Sequence, residues 1–437
     1  MIIVDQALAK REATQNPIQV AVMGAGEMGK GIINQLHRYS PGIRVAVTYN
    51  RTLQTALDAY EVAGIDSYRI VETLSELEAA IKAGEPAITQ NLDLLMTCGP
   101  LDVLIEATGT IEFAMRAMLR AFEHGKHVLS FNAELDATLG PLIVHKARQA
   151  GVKYSVAEGD QPGVTLNLLR EVKMRGFEPL VAINIKGMLD QYRTPATQEK
   201  FAASWGMNPV MATSFADGTK VNLEQAAIAN AVGFRVNKRG MNGFEAPGGH
   251  IDDMTDRYDL ADLQANGGIV DFVIGAKPGP GVAVFATAKD PFTVKYLRYG
   301  KLGDGPLYSF YIPYHLLFFE IGSSVARLVD FDDVIIAAAG GPKVEVITLA
   351  KKDLQVGEGL DGFGGFTVYG ECENYDTARA EDLLPIGLAD KVRLKRAIAK
   401  DQPIGMADVE FTDRYLLDLY EEQRALFPVG TSVPSGV

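Results

Sequence analysis

The chain has 437 residues, of which 47% are hydrophobic and 22% charged, and its formal net charge is −13. This length predicts two or three domains with substantial cores, and the proportions are typical of globular proteins. The acidic balance argues against a nucleic-acid partner, because no run of Lys and Arg is long enough to follow a phosphate backbone. A bound phosphate would therefore need a local cluster of donors.

The cysteine content and the hydropathy of the sequence indicate the cellular location of the protein. Cys98 and Cys372 lie far apart and lack metal-ligand spacing, which fits a reducing compartment. The N-terminus lacks the long apolar core of a signal peptide. The most apolar stretch, 307–321, is shorter than the roughly 20 residues that span a bilayer. We therefore expect a cytoplasmic protein with no membrane partner.

The first 157 residues alternate between strands and helices. After a short N-terminal helix, the apolar run 18–23 predicts a strand covered on both faces, followed by a helix over 27–37 and a strand over 43–49. The alternation continues with a strand and turn at 102–110, a helix at 111–123, a strand at 127–131, a helix at 141–149 and a strand at 153–157. This order predicts an α/β fold with a doubly wound parallel sheet of the Rossmann type.

The order of elements after residue 157 is less regular. Helices over 164–175 and 222–231, with a strand over 180–185, predict an α+β domain for the substrate. Short β-like runs between Gly-rich turns then predict a small β-rich third domain. The predicted domains are 1–157, 158–341 and 342–437.

A G-x-G-x-x-G motif follows the first predicted strand and opens the next helix. It consists of Gly24, Ala25, Gly26, Glu27, Met28 and Gly29. The first glycine permits a tight turn, the second lets the backbone approach a pyrophosphate, and the third allows helix and strand to pack closely. The helix N-terminus faces the negative charge. This context favours dinucleotide binding over an ordinary glycine turn.

The residues after the second strand indicate which dinucleotide binds. An NAD-specific site usually has Asp or Glu here, which accepts a hydrogen bond from the ribose 2′-hydroxyl and repels a 2′-phosphate. This chain has Asn50 and Arg51 instead. Asn50 removes the repulsive charge, and Arg51 can pair with a 2′-phosphate through two hydrogen bonds, although a solvated arginine is the alternative. The predicted cofactor is NADP(H).

A later turn is expected over the nicotinamide half of the cofactor. It follows the strand that begins at residue 102, and its predicted contacts are Ala107, Thr108, Gly109 and Thr110.

The segments GAGEMG, DVLIEATG, HGKHVLSFNAEL and EGDQPGVTLNLLREV occur in an order that resembles homoserine dehydrogenases. In that family an ATG-like turn holds the nicotinamide side, and a later T-x-N-K-like turn supplies a catalytic Lys. The matching stretch keeps Asn132, a further predicted cofactor contact, but has Ala133 at the Lys position. Proton transfer at the reacting hydroxyl needs a positioned acid or base. We therefore do not expect homoserine dehydrogenase activity.

The last hundred residues, with VITLAKKDLQVGEGLDGFGGFTVYG and LPIGLADKVRLKRAIAKDQPIG, are similar to the SAF domain of sialic acid synthases and flagellar assembly proteins. With SFADGTK and PYHL in the middle, the whole chain resembles the DXR-like (DRL) oxidoreductase family. Members include NADPH-dependent enzymes of isoprenoid precursor synthesis that convert 1-deoxy-D-xylulose 5-phosphate to 2-C-methyl-D-erythritol 4-phosphate. The resemblance implies such a reductoisomerase, and it leaves open other polyols or hydroxy acids.

A reductoisomerase polarises an α-hydroxy ketone, commonly with a divalent cation such as Mg²⁺ or Mn²⁺, and delivers hydride to the resulting aldehyde. Glu158 and Asp160 follow a strand end, where ligands gather in open α/β sheets, so either a catalytic site or a solvated turn fits them. The resemblance to homoserine dehydrogenases implies that Asp190, Asp217 and Lys220 are also catalytic. The sequence does not identify the residues that would bind a metal.

The second half also offers candidate substrate contacts. These are Lys186, Tyr192, Arg193 and His315. Lys186 and Lys220 can bind a phosphate or act as a general acid, with solvent exposure as the alternative. His315 also fits a core position, and the segment 250–253 favours a polar loop over a metal site.

Three functions follow from these observations. The favoured one is an NADPH-dependent oxidoreductase acting on a CH-OH group of a small phosphorylated substrate. The alternatives are a dehydrogenase of a non-phosphorylated polyol or hydroxy acid, and a protein that senses NAD(P) without catalysis. We expect a homodimer, because closed two-fold assemblies are the commonest.

Overall fold

The computed structural model describes residues 2–430. Up to residue 160, its elements in chain order are α1 Ile2–Ala13, β1 Ile18–Met23, α2 Glu27–Tyr39, β2 Ile43–Tyr49, α3 Leu53–Ala63, β3 Arg69–Ile70, α4 Leu74–Ala83, β4 Ala87–Thr89, α5 Leu92–Thr97, β5 Val103–Glu106, α6 Ile111–Glu123, β6 His127–Ser130, α7 Ala133–Gln149 and β7 Tyr154–Val156.

The next elements are α8 Gln161–Met174, β8 Glu178–Lys186, α9 Pro195–Ser204, α10 Pro209–Ala216, α11 Thr219–Val232, β9 Phe244–Glu245, a 3₁₀ helix Ile251–Arg257, α12 Leu260–Asn266, β10 Ile269–Ile274, β11 Gly281–Thr287, α13 Pro291–Tyr299, β12 Leu307–Ile312, a 3₁₀ helix Leu317–Glu320 and α14 Ile321–Asp330. The last elements are β13 Val344–Ala350, β14 Gly359–Asp361, β15 Val368–Asn374, α15 Tyr375–Ala380, a 3₁₀ helix Ile386–Leu388, β16 Asp390–Leu394, a 3₁₀ helix Met406–Asp408, β17 Val409–Phe411 and α16 Tyr415–Leu426.

The first sheet confirms the predicted doubly wound fold. Within residues 2–430 it has seven parallel strands in the order β3-β4-β2-β1-β5-β6-β7. β1 is buried along nearly its whole length, as expected for a strand covered on both faces. The strand order reverses between β1 and β5, and doubly wound folds bind their ligands at the carboxyl ends of the strands at such a point.

The second sheet is mixed. Its order is β12-β11-β8-β10-β9, with β8 parallel to β10 and antiparallel to β11. Helix α11 packs against β8, β10, β13 and β15, and its residues from Thr219 to Ala231 are all buried. The C-terminal part adds a pair, β13-β15, and a three-stranded sheet, β14-β16-β17, as the Gly-rich β-like runs predict.

One predicted helix boundary is wrong. The sequence places a helix at 141–149, because proline favours the first turn of a helix. The structure begins α7 at Ala133 and keeps Pro141 inside it. Asn132 provides the true N-cap, since its side-chain oxygen accepts from the Leu135 N–H at 3.0 Å.

The chain forms two compact units. The first comprises the described residues up to Asp136, with Ile143–Gly163 and Leu316–Ala337. The second comprises Ala137–Leu142, Val164–His315 and the described residues from Ala338 onward.

These units differ from the predicted domains 1–157, 158–341 and 342–437. One reason is that Leu316–Ala337, from the predicted second domain, belongs to the first unit. In α14, Ile321 and Val325 are fully buried in one hydrophobic core with Val4 and Leu8 of α1. No described helix has both the length and the apolar character needed to cross a membrane.

Candidate active site

The glycine-rich loop between β1 and α2 fits a dinucleotide. Gly24 has φ +100°, and a Cβ there would lie 2.9 Å from the carbonyl oxygen of Ala107. A Cβ at Gly29 would overlap the carbonyl oxygen of Gly24. At Gly26, which precedes the first residue of α2, a Cβ would meet nothing within 4 Å. The fold itself thus requires Gly24 and Gly29, whereas Gly26 leaves an open backbone surface for a pyrophosphate.

Asn50 connects the end of β2 to this loop. Its side-chain oxygen accepts from the Ala25 N–H at 3.1 Å, and its side-chain nitrogen donates to the Thr52 carbonyl at 2.8 Å. Arg51 is exposed, and within residues 2–430 its guanidinium forms no ion pair. The end of β2 therefore carries a neutral side chain that shapes the loop and a cation that a ribose phosphate can reach.

A buried carboxylate, that of Glu106, holds the turn after β5, although Glu106 was not among the predicted site residues. The N–H and the hydroxyl of Thr108 donate to Glu106 Oε1 at 2.7 and 2.5 Å, and Ser130 Oγ donates to Glu106 Oε2 at 3.1 Å. Burial raises the pKa of Glu106, and these hydrogen bonds oppose that rise. The signal in the sequence was an acid at the end of the otherwise apolar run VLIE.

Asn132 supports the same turn from within the protein. It is fully buried, and its side-chain nitrogen donates to the Thr110 carbonyl at 2.9 Å while its oxygen caps α7. The next residue, Ala133, is also buried, at the position where homoserine dehydrogenases have Lys. Direct contact of Asn132 with the cofactor stays a prediction, as do the contacts of Glu27, Met28, Ala107 and Gly109.

The two acids that follow β7 differ in their partners. Glu158 forms an ion pair with Arg327, and both are buried; Arg327 also pairs with Asp333 at 2.7 Å. Asp160 accepts from the Gln161 N–H at 3.0 Å at the start of α8. In residues 2–430, no group of three or more His, Cys, Asp and Glu could hold a metal ion. Because Glu158 is also committed to a cation, these residues do not fit a resident divalent metal.

The second unit brings several predicted site residues together. Lys186, at the end of β8, donates to the Phe215 carbonyl at 3.2 Å. Glu224 on α11 accepts from Asn184 at 3.2 Å, and Lys220 lies one turn earlier on the same helix. Burial lowers the pKa of Lys186, the carboxylates of Glu224 and Asp217 oppose this, and the charge of Lys220 adds a smaller lowering. We call Lys186, Lys220, Glu224 and Asn184 the lysine cluster.

Asp217 has a buried lysine partner that the sequence analysis missed. Lys351 donates to Asp217 Oδ2 at 2.9 Å and to the carbonyls of Arg193 and Gly365, each at 2.8 Å. The Thr219 N–H donates to Asp217 Oδ1 at 2.9 Å. Burial raises the pKa of Asp217, and Lys351 opposes this. Asp217 therefore anchors the start of α11, and its catalytic role stays a prediction.

The other candidates of the second unit lie in turns. Asp190 pairs with Arg193 at 3.0 Å, and both are partly exposed. The Tyr192 hydroxyl donates to Asp401 at 2.9 Å, and Lys400 Nζ lies 3.4 Å from the centre of the Tyr192 ring.

The two histidines singled out from the sequence lie outside the lysine cluster. His315 is half-buried in the segment after β12. His250 caps the 3₁₀ helix Ile251–Arg257 by accepting from the Asp252 N–H at 3.2 Å, where the sequence predicts a polar loop. The substrate roles of Tyr192, Arg193 and His315 stay predictions.

Known families match two segments of the chain. Residues 24–157 match the family described as homoserine dehydrogenase, NAD binding domain. Residues 159–321 match the family described as oxidoreductase DRL, catalytic domain. Residues 24–157 are therefore similar to a nicotinamide-dinucleotide-binding domain, and residues 159–321 to an oxidoreductase catalytic domain. The two domain matches occur in the order expected from the sequence.

Two curated proteins are similar to part of the chain. A homoserine dehydrogenase of Pseudomonas aeruginosa is 31% identical over 137 residues, which is 31% of this chain and 28% of that protein. A homoserine dehydrogenase of Mycobacterium leprae is 26% identical over 140 residues, which is 32% of this chain and 28% of that protein. The chain thus spans little more than a quarter of the length of these relatives.

Two solved structures can be aligned with part of the chain. The 1-deoxy-D-xylulose 5-phosphate reductoisomerase of Zymomonas mobilis in complex with NADPH has a TM-score of 0.34 and 18% identity, over 48% of this chain and 56% of the other. The scyllo-inositol dehydrogenase of Lactobacillus casei has a TM-score of 0.40 and 12% identity, over 74% of this chain and 92% of the other. At such TM-scores the likeness carries no weight for the reaction.

Proposed function

We propose that this oxidoreductase uses NADPH to reduce a small phosphorylated sugar, and that its substrate is 1-deoxy-D-xylulose 5-phosphate, which it converts to 2-C-methyl-D-erythritol 4-phosphate. The observation that carries the cofactor preference is the exposed Arg51 beside the neutral Asn50 at the end of β2. An acid at this place would repel a 2′-phosphate. An arginine binds one through two charge-assisted hydrogen bonds, so NADPH is favoured over NADH.

The lysine cluster supports a phosphorylated substrate. Lys186 and Lys220 are close enough for the charge of one to lower the pKa of the other, and Lys220 lies in the first turn of α11. The ammonium groups of Lys186 and Lys220 favour an anion, and the N-terminus of α11 is already capped by the Asp217 carboxylate. On a chain with a net charge of −13, these two lysines, which lie near the carboxylates of Glu224 and Asp217, are a candidate donor set for a phosphate.

The same cluster supplies acid–base chemistry. Bound NADPH supplies the hydride. Lys186 is a good proton donor to the oxygen that becomes a hydroxyl, because its lowered pKa brings it nearer to neutral pH. Glu224 stabilises the charged form of Lys186, and its hydrogen bond to Asn184 holds its carboxylate in place. Lys220 binds the substrate phosphate in this proposal.

The test follows NADPH oxidation with 1-deoxy-D-xylulose 5-phosphate and, in parallel, with 1-deoxy-D-xylulose, which lacks the phosphate. Each assay is run with and without Mg²⁺ or Mn²⁺. Turnover of the phosphorylated compound alone supports the proposal. Equal turnover of both compounds, or oxidation of non-phosphorylated polyols or hydroxy acids, contradicts it and favours the second dehydrogenase function. Cofactor binding without turnover of any of these compounds favours an NAD(P)-sensing protein.

A pair of lysine variants tests the role given to the lysine cluster. Lys220→Met should raise KM for the phosphorylated substrate about 100-fold, because one charge-assisted contact with an anion is worth roughly 1.5–3 kcal/mol. Lys200→Met is the matched control, since Lys200 is an exposed lysine on α9, and its KM should stay unchanged. An unchanged KM in both variants would remove Lys220 from the phosphate site.

A further inference from the structure

The turn after β5 is fixed from two neighbouring strands by a single carboxylate. Glu106 and Ser130 are directly paired residues of β5 and β6, and the Ser130 hydroxyl donates to Glu106 Oε2. The other oxygen, Oε1, accepts both the N–H and the hydroxyl of Thr108. Glu106 is 0% exposed. Burying a carboxylate costs free energy unless hydrogen bonds offset it, and here three donors provide that compensation.

The hydrogen bonds continue through the turn. Thr108 Oγ1 lies 3.2 Å from Thr110 Oγ1, and the Thr110 carbonyl accepts from Asn132 at 2.9 Å. Gly109, between the two threonines, has φ +67°. Glu106 is thus the innermost member of a connected network that determines the backbone path of 107–110.

The sheet order assigns this turn to one half of the cofactor. The end of β2 carries Arg51 on the side of the 2′-phosphate, and β1 leads into the pyrophosphate loop. The next strand in the sheet is β5, so its turn lies on the nicotinamide side. The turn also abuts the glycine loop, because a Cβ at Gly24 would lie 2.9 Å from the Ala107 carbonyl oxygen.

We propose that Glu106 is a positioning residue for the nicotinamide half of the cofactor. It holds the turn at 107–110 in its binding conformation before the cofactor arrives, so that binding does not have to order these residues. It acts through Thr108 and Ser130 and does not touch the cofactor itself. The inference rests on the proposed use of a nicotinamide dinucleotide, but it does not depend on the substrate or on the preference for NADPH.

The test compares a whole cofactor with one half of it. Glu106→Gln keeps the size of the side chain but replaces one of the two acceptor oxygens by an NH₂ group. This group cannot accept the hydrogen bonds that Thr108 or Ser130 donates. We expect the Kd of NADPH, measured by titration calorimetry, to rise about 10- to 100-fold, because the turn must then be ordered on binding. The Kd of 2′,5′-ADP, which lacks the nicotinamide half, should change by no more than about twofold. Glu123→Gln, an exposed site at the end of α6, should change neither value.

Each outcome decides for or against the inference. If both ligands weaken equally, or if NADPH binds Glu106→Gln as tightly as wild type, Glu106 has no positioning role. If wild type binds NADH and not NADPH, the proposed cofactor preference fails, and NADH with AMP becomes the ligand pair for the same comparison. If Glu106→Gln does not fold, Ser130→Ala provides the test, because it removes the hydroxyl that donates to Glu106 Oε2 without changing a residue of the turn, and it should show the same selective loss.

Discussion

Because of the buried carboxyl group of Asp136, we predict that the free energy of unfolding falls as the pH rises. The residue lies fully buried in α7, and its Oδ1 accepts from the Tyr154 hydroxyl at 3.0 Å. Its Oδ2 has no hydrogen-bond partner among the described residues. Burial raises the pKa of Asp136 from 3.8 to about 7, and the bond from Tyr154 only partly opposes this rise.

The sign and size of the effect follow from proton linkage. Because the pKa in the folded state lies above that in the unfolded state, the folded state holds more protons between pH 4 and 7. The free energy of unfolding therefore falls as pH rises through this window and levels off above about pH 7. Each unit of pKa difference corresponds to about 1.4 kcal/mol, so Asp136 should remove about 3 kcal/mol of stability between pH 5 and 8.

Asp136→Asn, which is neutral at every pH, isolates this contribution. Urea unfolding of wild type and variant at pH 5, 6, 7 and 8 should show the variant gaining about 3 kcal/mol relative to wild type across that range. Glu345, whose pKa burial also raises to about 7, is present in both proteins and cancels in the difference. Asp66→Asn, at an exposed site, is the matched control and should stay parallel to wild type. Parallel curves for Asp136→Asn would refute the reasoning.

Three further predictions concern the cofactor loop and the core of the second unit. Gly26→Ala should leave the urea midpoint unchanged, because the structure has room for the methyl group, but should weaken NADPH binding at least about tenfold by blocking the pyrophosphate. Arg51→Ala should lower kcat/KM for NADPH about 100-fold and leave that for NADH nearly unchanged, and Asn50→Asp should shift the preference toward NADH; an unchanged ratio would contradict the 2′-phosphate role. Lys351→Met should reduce the free energy of unfolding by about 3–5 kcal/mol, because it leaves the buried Asp217 carboxylate without its cation. The control is Lys352→Met, at an exposed neighbouring position, which should lose less stability.

Elements of the first sheet were predictable where the local pattern is unambiguous. The strand 18–23 and the helix 111–123 agree with β1 and α6 residue for residue. A parallel strand covered on both faces reads as an unbroken apolar run, and a helix beside it shows a helical period, so both signals are local. The start of α7 was missed because a proline in a helix interior looks like a helix start, while the cap at Asn132 depends on a single side chain.

The candidate site residues also fall into those that local sequence predicts and those that it does not. The glycine motif could be recognised because backbone conformation and close approach are properties of a few consecutive residues. Lys351 and Arg327 could not, because the role of each comes from a partner that is distant in the sequence. Lys351 is 134 residues from Asp217, and Arg327 is 169 residues from Glu158. The structure shows that both acids are paired with buried cations, whereas the sequence presented them only as acids near strand or helix ends.

The sequence by itself determined the doubly wound sheet, the dinucleotide loop, and the presence of a neutral residue, Asn50, followed by a cation, Arg51. Each of these features depends only on residues that are close together in the sequence. Only the tertiary structure decided which charged side chains are neutralised inside the protein. It brought Lys186 under the electrostatic influence of Glu224, Asp217 and Lys220, and it placed Glu106 beneath the turn at 107–110. The physical reason is that the chemistry of a buried ionisable group depends on its desolvation and on the nearest charge, and both arise only when distant segments fold together.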